Sequence, residues 1–161
     1  MRVTLLLPIL MLATSAMAAP GRDDQLKPVS LQLAAAGQAA LADGKPQDAI
    51  DSFEAALASD PRNVAAFAGI AAAYEKLGLP GKAIKYYREA LAMNPSDIGA
   101  LEGQGRALVA RGATARAQIN VARIKALCKT DCSAATRLEG VIAKASQQAS
   151  VVPAKPAIER N

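Results

Sequence analysis

The stretch Ala66–Pro95, AFAGIAAAYEKLGLPGKAIKYYREALAMNP, spells out one helical hairpin from end to end. Phe67 and Tyr74 stand in a first helical run. Gly78 follows, a residue that takes φ > 0 freely and so closes a helix. After a short turn, Pro80 opens a second helix at the one position where a missing N–H costs nothing. From Pro80 to Met93, Ala83, Ile84, Tyr87, Ala90 and Leu91 recur at helical spacing on one face. Asn94-Pro95 then stops the helix.

Stepping back by 34 residues recovers the same pattern. Gly44, Pro46, Ala49, Ile50, Ala56, Leu57, Ala58 and Pro61 match Gly78, Pro80, Ala83, Ile84, Ala90, Leu91, Ala92 and Pro95, with Phe53 in step with Tyr87 and Asp60 with Asn94. Stepping forward gives a weaker third copy, with Gly112, Ala117 and Val121, the last standing where the aromatic would be. Small residues at Ala49, Ala56, Ala83 and Ala90 let paired helices approach closely, and Phe53 and Tyr87 fill the gap to the next unit. A single hairpin of this kind cannot bury its own apolar face and needs stacked neighbours.

With this period and these residues, the chain resembles the tetratricopeptide repeat family, whose unit is about 34 residues. The residues carrying the resemblance are Gly44, Ala49, Phe53, Ala56 and Pro61, then Gly78, Ala83, Tyr87, Ala90 and Pro95, then Gly112 and Ala117. The first unit has Leu33, Gly37 and Ala40 where larger aromatics are common. The third keeps Leu101 and Gly105 but has neither an aromatic nor a closing Pro. The resemblance implies an all-α fold, an α-solenoid of about three helix hairpins spanning 30–63, 64–97 and 98–131. A last amphipathic segment at 133–146, with Leu138, Val141, Ile142 and Ala145 on one side and Asp131 or Ser133 as its N-cap, fits a C-terminal capping helix. Gly99, Gly103 and Gly105 lie inside the first helix of the third unit. At about 1 kcal/mol each relative to Ala, they predict that this helix exchanges its amides fastest among the six.

Composition and the chain ends narrow the class. The 161 residues are 52% hydrophobic but 3% aromatic, which disfavours an all-β fold, and the absence of His removes imidazole chemistry. Residues 1–18 combine a positive start, an apolar run too short to span a bilayer as a helix, and the small-x-small pattern Ala16-Met17-Ala18; they read as a signal peptide cleaved near Ala18. Residues 19–29 and 147–161 read as disordered flanks around a domain at 30–146. The expected location is therefore periplasmic or secreted, with no membrane span in the mature form. In such a compartment Cys128 and Cys132, the only cysteines, suggest a disulfide that pins the entry of the capping helix, with free thiols as the alternative.

Charge is graded along the chain: −3 over 30–63, +1 over 64–97 and +4 over 98–131. Such a gradient either orients an oppositely graded partner or is a biased solvated surface. Nucleic acid is not the expected partner, because no aromatics interleave with the basic residues. The family resemblance implies a concave groove lined by the first helices. Here it would comprise Leu31, Ala34, Gln38 and Leu41, then Ala65, Ala68, Ala72, Glu75 and Lys76, then Glu102, Arg106 and Val109. The lysine–asparagine clamp by which some members hold a terminal carboxylate is not visible, since Ala34, Gln38, Ala68 and Ala72 occupy the places that would need donors. No Gly-x-Ser-x-Gly, phosphate-cradling loop or metal-ligand cluster occurs, so neither an enzyme nor a cofactor is expected. The reading is a non-catalytic module that binds a peptide or helix of an envelope protein, an adaptor or assembly factor. The alternative is a structural, self-associating repeat protein.

Overall fold

In the computed structural model, which describes residues 25–151, seven helices follow one another with no strand among the described residues. They are α1 (Pro28–Ala42), α2 (Pro46–Ser59), α3 (Val64–Lys76), α4 (Pro80–Met93), α5 (Ile98–Ala110), α6 (Thr114–Leu127) and α7 (Ser133–Val151). The expected all-α solenoid of three hairpins and a capping helix is what forms. The turns recur with the period. Gly44, Gly78 and Gly112 have φ of 73°, 68° and 75°. Beyond each, the next N–H reaches back to close the helix: Lys45 to the Ala40 carbonyl, Leu79 to Tyr74 and Ala113 to Leu108, each at 2.9 Å.

A second periodic device stands at the starts of α3, α5 and α7, while α1 has no side-chain cap. The Asn63 side chain accepts the Ala66 N–H at 3.1 Å, and Asp97 accepts the Ala100 N–H at 3.0 Å. Asp131, again 34 residues on, accepts the Ser133 N–H at 2.8 Å. Asn63 also donates to the Ser30 hydroxyl at 2.9 Å, and Ser30 donates to the Ala56 carbonyl at 2.9 Å, so the start of α1 is tied to the α2–α3 junction by buried polar groups. Beside it, the Asp60 carboxylate accepts the Lys27 N–H and the Arg62 guanidinium. The Arg62 hydrogen bonds, followed by those from the Lys27 and Arg62 backbone, hold its carboxyl well below the usual range.

Consecutive helices pack in pairs, and beyond those pairs only α1 with α3, α3 with α5 and α5 with α7 touch. Odd helices therefore crowd together while even helices splay apart, which curves the stack and makes the odd helices its inner wall. Phe53, fully buried, lies between two glycines of that wall. A Cβ on Gly37 would meet its ring at 2.8 Å, and one on Gly69 at 2.3 Å. Tyr87 repeats the arrangement against Gly103, at 2.2 Å. In the third unit Val121 stands in the aromatic's place, and Leu138 of α7 occupies the space that a Cβ on Gly105 would take.

These contacts revise the expectation for α5. Gly103 and Gly105 are slots for Tyr87 and Leu138, and α5 buries Ala100, Leu101, Glu102, Gly103, Gly105, Ala107 and Leu108, more residues than α1 with Ser30, Ala34 and Gly37. So enclosed, α5 is expected to be better protected than α1; of the three glycines, only Gly99 is exposed. Two boundaries also shift. α1 begins at Pro28, inside the expected linker, and α7 continues to Val151 instead of giving way to a tail at 147. The expected signal peptide, residues 19–24 of the linker and residues 152–161 of the tail lie outside the described residues. No described helix is long and apolar enough to cross a membrane.

Candidate binding groove

The residues expected to line a groove lie on α1, α3 and α5, and the structure sorts their surroundings into three zones. At the N-terminal end, Leu31, half of it exposed, overhangs an open recess of about 380 Å³ bounded by Leu26, Ala34, Arg62, Asn63, Val64 and Ala65. Gln38 is exposed and Leu41 half-buried further along α1, while Ala68 and Ala72 line α3 as half-buried small residues. On α3 the wall between the two ends is thus made of small apolar residues, with Gln38 of α1 exposed. Lys76 is exposed at the end of α3.

The charged residues of the expected set are held mainly by one another. Arg106 on α5 donates through Nε and Nη2 to Glu75 on α3, at 3.3 and 3.1 Å, and its Nη1 lies 3.3 Å from Glu102 one turn back. The buried Tyr87 hydroxyl donates to Glu75 Oε2 at 2.6 Å from behind the wall. Arg137 on α7 completes the chain, donating to both oxygens of Glu102 at 2.8 and 2.7 Å in a fork-to-carboxylate pair. The Arg137 hydrogen bonds keep the Glu102 carboxyl below its ordinary range. Burial, followed by the Glu75 charge, pushes the Tyr87 phenol far up, so it stays a donor. Glu75, Glu102 and Arg106 accordingly join α3, α5 and α7 before any partner arrives. They are not isolated charges waiting in a groove.

The third zone was not visible as a site in the sequence. α7 stands where the first helix of a fourth unit would stand, and its Val141, Lys144, Ala145 and Gln148 face Arg106, Val109 and Ala110 of α5 across an open recess of about 350 Å³. Of the side expected to be apolar, Leu138 and Ile142 are buried, whereas Val141 and Ala145 are half-buried at this recess. The signal for the other face was the spacing Arg137–Val141–Lys144, a stripe at helical period beside the buried one. The entry of α7 is fixed by the disulfide between Cys128 and Cys132, whose Cα atoms are 5.4 Å apart. Both thiols are thus paired, as expected from their number and place. No cluster of potential metal ligands occurs among the described residues.

Comparison with known proteins agrees with this geometry. The tetratricopeptide repeat family matches residues 34–98 and again 80–123, together more than half of the chain. The first such domain of Spaghetti (RPAP3), solved bound to the HSP90 peptide SRMEEVD, superposes with a TM-score of 0.66 at 26% identity, covering 76% of this chain and 96% of that one. The Sgt2 domain from Aspergillus fumigatus gives 0.70 at 25% identity over 84% and 90% of the two chains. The Yersinia enterocolitica type III secretion translocator chaperone SycD gives 0.68 at 19% identity over 78% and 97%, a likeness of fold alone. No curated protein sequence matches the chain. A 34-residue period in glycine turns, helix caps and inter-unit aromatics, together with the family match, establishes that this chain belongs to the tetratricopeptide repeat family.

Proposed function

We propose that this protein is a non-catalytic adaptor or assembly factor of the bacterial envelope that holds a peptide or helix of another envelope protein in its concave groove. The observation that carries the reading is the inner wall itself. Two apolar recesses lie at its ends, and a shallow floor of Ala68 and Ala72 runs between them, a surface shaped for an extended or helical segment. The Spaghetti domain, similar in fold and at 26% identity, is solved with a peptide bound, which supports the same use of the scaffold here. Export is supported by the signal-like residues 1–18 and by the paired cysteines.

Self-association is a second reading, favoured by a separate apolar recess of about 370 Å³ at the end of the stack, between Val121 and Ala122 of α6 and Ile142 and Ala143 of α7. Site-specific photo-crosslinking separates the two. A photoreactive residue replacing Gln38, in the groove, is expected to trap a second envelope protein, whereas one at Glu89, an exposed residue of α4, is not. A probe at Gln118, beside the end recess, traps a second copy of the chain only if the stack self-associates. Equal trapping from positions 38 and 89 removes the groove from the proposal.

A further inference from the structure

Within the ion-pair chain that joins α3, α5 and α7, the cations and anions are not equally presented. Glu75 and Glu102 are 19% and 11% exposed, while Arg106 and Arg137 are 41% and 59% exposed. All four carboxylate oxygens already accept hydrogen bonds or an ion-pair contact from the guanidiniums, and Glu75 takes the Tyr87 hydroxyl as well. A guanidinium has five N–H donors. Arg106 uses three of them on Glu75 and Glu102, and Arg137 uses two on Glu102 and one on the Ser133 hydroxyl. Each therefore keeps two donors, while the carboxylates have little accepting capacity left. The network is neutral overall, but its carboxylates are enclosed and its guanidiniums are the groups more open to a partner.

The apolar recess between α5 and α7 adjoins Arg106 of this network. Val109, Val141 and Ala145 form its floor, and Arg106 and the exposed Lys144 stand at its rim. On α7, Arg137, Val141 and Lys144 fall at i, i+4 and i+7, so cation, apolar floor and cation share one stripe. We propose that this recess takes an apolar side chain of the partner segment whose adjacent residue is Asp or Glu, the carboxylate lying against Arg106, Arg137 and Lys144. The inference rests on the peptide-binding function proposed above and names the chemistry of that partner. The carboxylate is that of a side chain and not of a chain end, because Ala34, Gln38, Ala68 and Ala72 occupy the places where a terminal-carboxylate clamp would need donors. Charge also runs the right way along the stack, from −3 over 30–63 to +4 over 98–131, which aligns the acidic end of a segment with α5 and α7.

A random 12-residue peptide library, displayed with linkers on both sides so that only side-chain carboxylates are present, is selected on the purified full-length chain. The expected winners place Asp or Glu next to Leu, Ile or Phe. Their affinity is expected to fall roughly three- to tenfold in Lys144→Glu, an exposed rim position, and to stay unchanged in Arg88→Glu, the same charge change at an exposed residue of α4 outside the groove. Circular dichroism of both variants checks that the helices persist. Winners without an acidic residue, or indifferent to Lys144→Glu, overturn this assignment while leaving peptide binding intact. If the library yields no binder at all, peptide binding itself falls, and this inference with it. Synthetic copies of the winners with free and amidated ends should bind alike, and a strict need for the free end also overturns the side-chain assignment.

Discussion

The first and third units close the same gap by different means. In the first, Phe53 from α2 slides between Gly37 of its own hairpin and Gly69 of the next, so one side chain locks two units with contacts near in sequence. In the third, Val121 stands in that place, and the slot over Gly105 is filled by Leu138 from a helix outside the repeat. The first arrangement is self-contained. The second makes the last unit depend on the docking of α7, and the same helix brings Arg137 to Glu102 and Lys144 to the groove. Packing and binding surface are therefore joined at the C-terminal end through a helix outside the repeats, whereas at the N-terminal end the repeats supply both.

The comparison is tested most strongly by truncation. Phe53→Ala should lose about 3–5 kcal/mol in urea titration and unfold the stack as a whole, because it empties the interface between two units. Leu138→Ala should lose about 2–5 kcal/mol, but with hydrogen exchange raised in α5 to α7 and little altered in α1 and α2. Equal loss of protection at both ends in Leu138→Ala would mean that the two regions are not separable. In the wild-type chain the same experiment should show α5 better protected than α1.

Adding a single methyl sharpens the contrast further. Gly103→Ala drives a Cβ into the Tyr87 ring and should cost about 1–3 kcal/mol despite the better helix propensity of Ala. Gly140→Ala, on α7 with nothing within 4 Å of the added carbon, should stabilise by up to about 1 kcal/mol. Melting temperatures moving in the same direction for both variants would contradict the slot assignment.

The smallest expected effect is with acid. Asp60 at the N-terminal end and Glu102 at the C-terminal end both have carboxyl pKa values lowered in the folded state, chiefly by hydrogen bonds from Arg62 and Arg137. A lowered folded-state pKa adds stability that is fully present above the unfolded value of about 4 and is lost as pH falls through the folded one. The wild-type melting temperature should thus decline below about pH 4, and Asp60→Asn should flatten that decline. Identical acid slopes for the two proteins would show that Asp60 does not contribute.

Much of the fold was legible because its determinants are local and repeated. Gly44, Gly78 and Gly112 mark the turns, Pro46 and Pro80 open helices at the residues read from the sequence, and Cys128 with Cys132 marks the last junction. The caps at Asn63, Asp97 and Asp131 follow the same period, and only the last was noticed as a cap. The candidate groove was legible only as a roster. Leu31, Gln38, Ala72 and Val109 lie on α1, α3 and α5, yet nothing in the local sequence says that Glu75, Glu102 and Arg106 pair with one another or that Arg137 joins them.

The amino-acid sequence alone determined the period, the turns, the helix limits within a few residues, and the small residues that allow close approach. Each depends on a residue's own backbone preferences or on neighbours within a few turns. Only the tertiary structure decided which glycine receives which ring, why Gly105 faces Leu138, and which charges remain turned to the groove. Those outcomes depend on the rotation of one helix against another, set by volumes and hydrogen bonds summed over residues 16 to 35 positions apart.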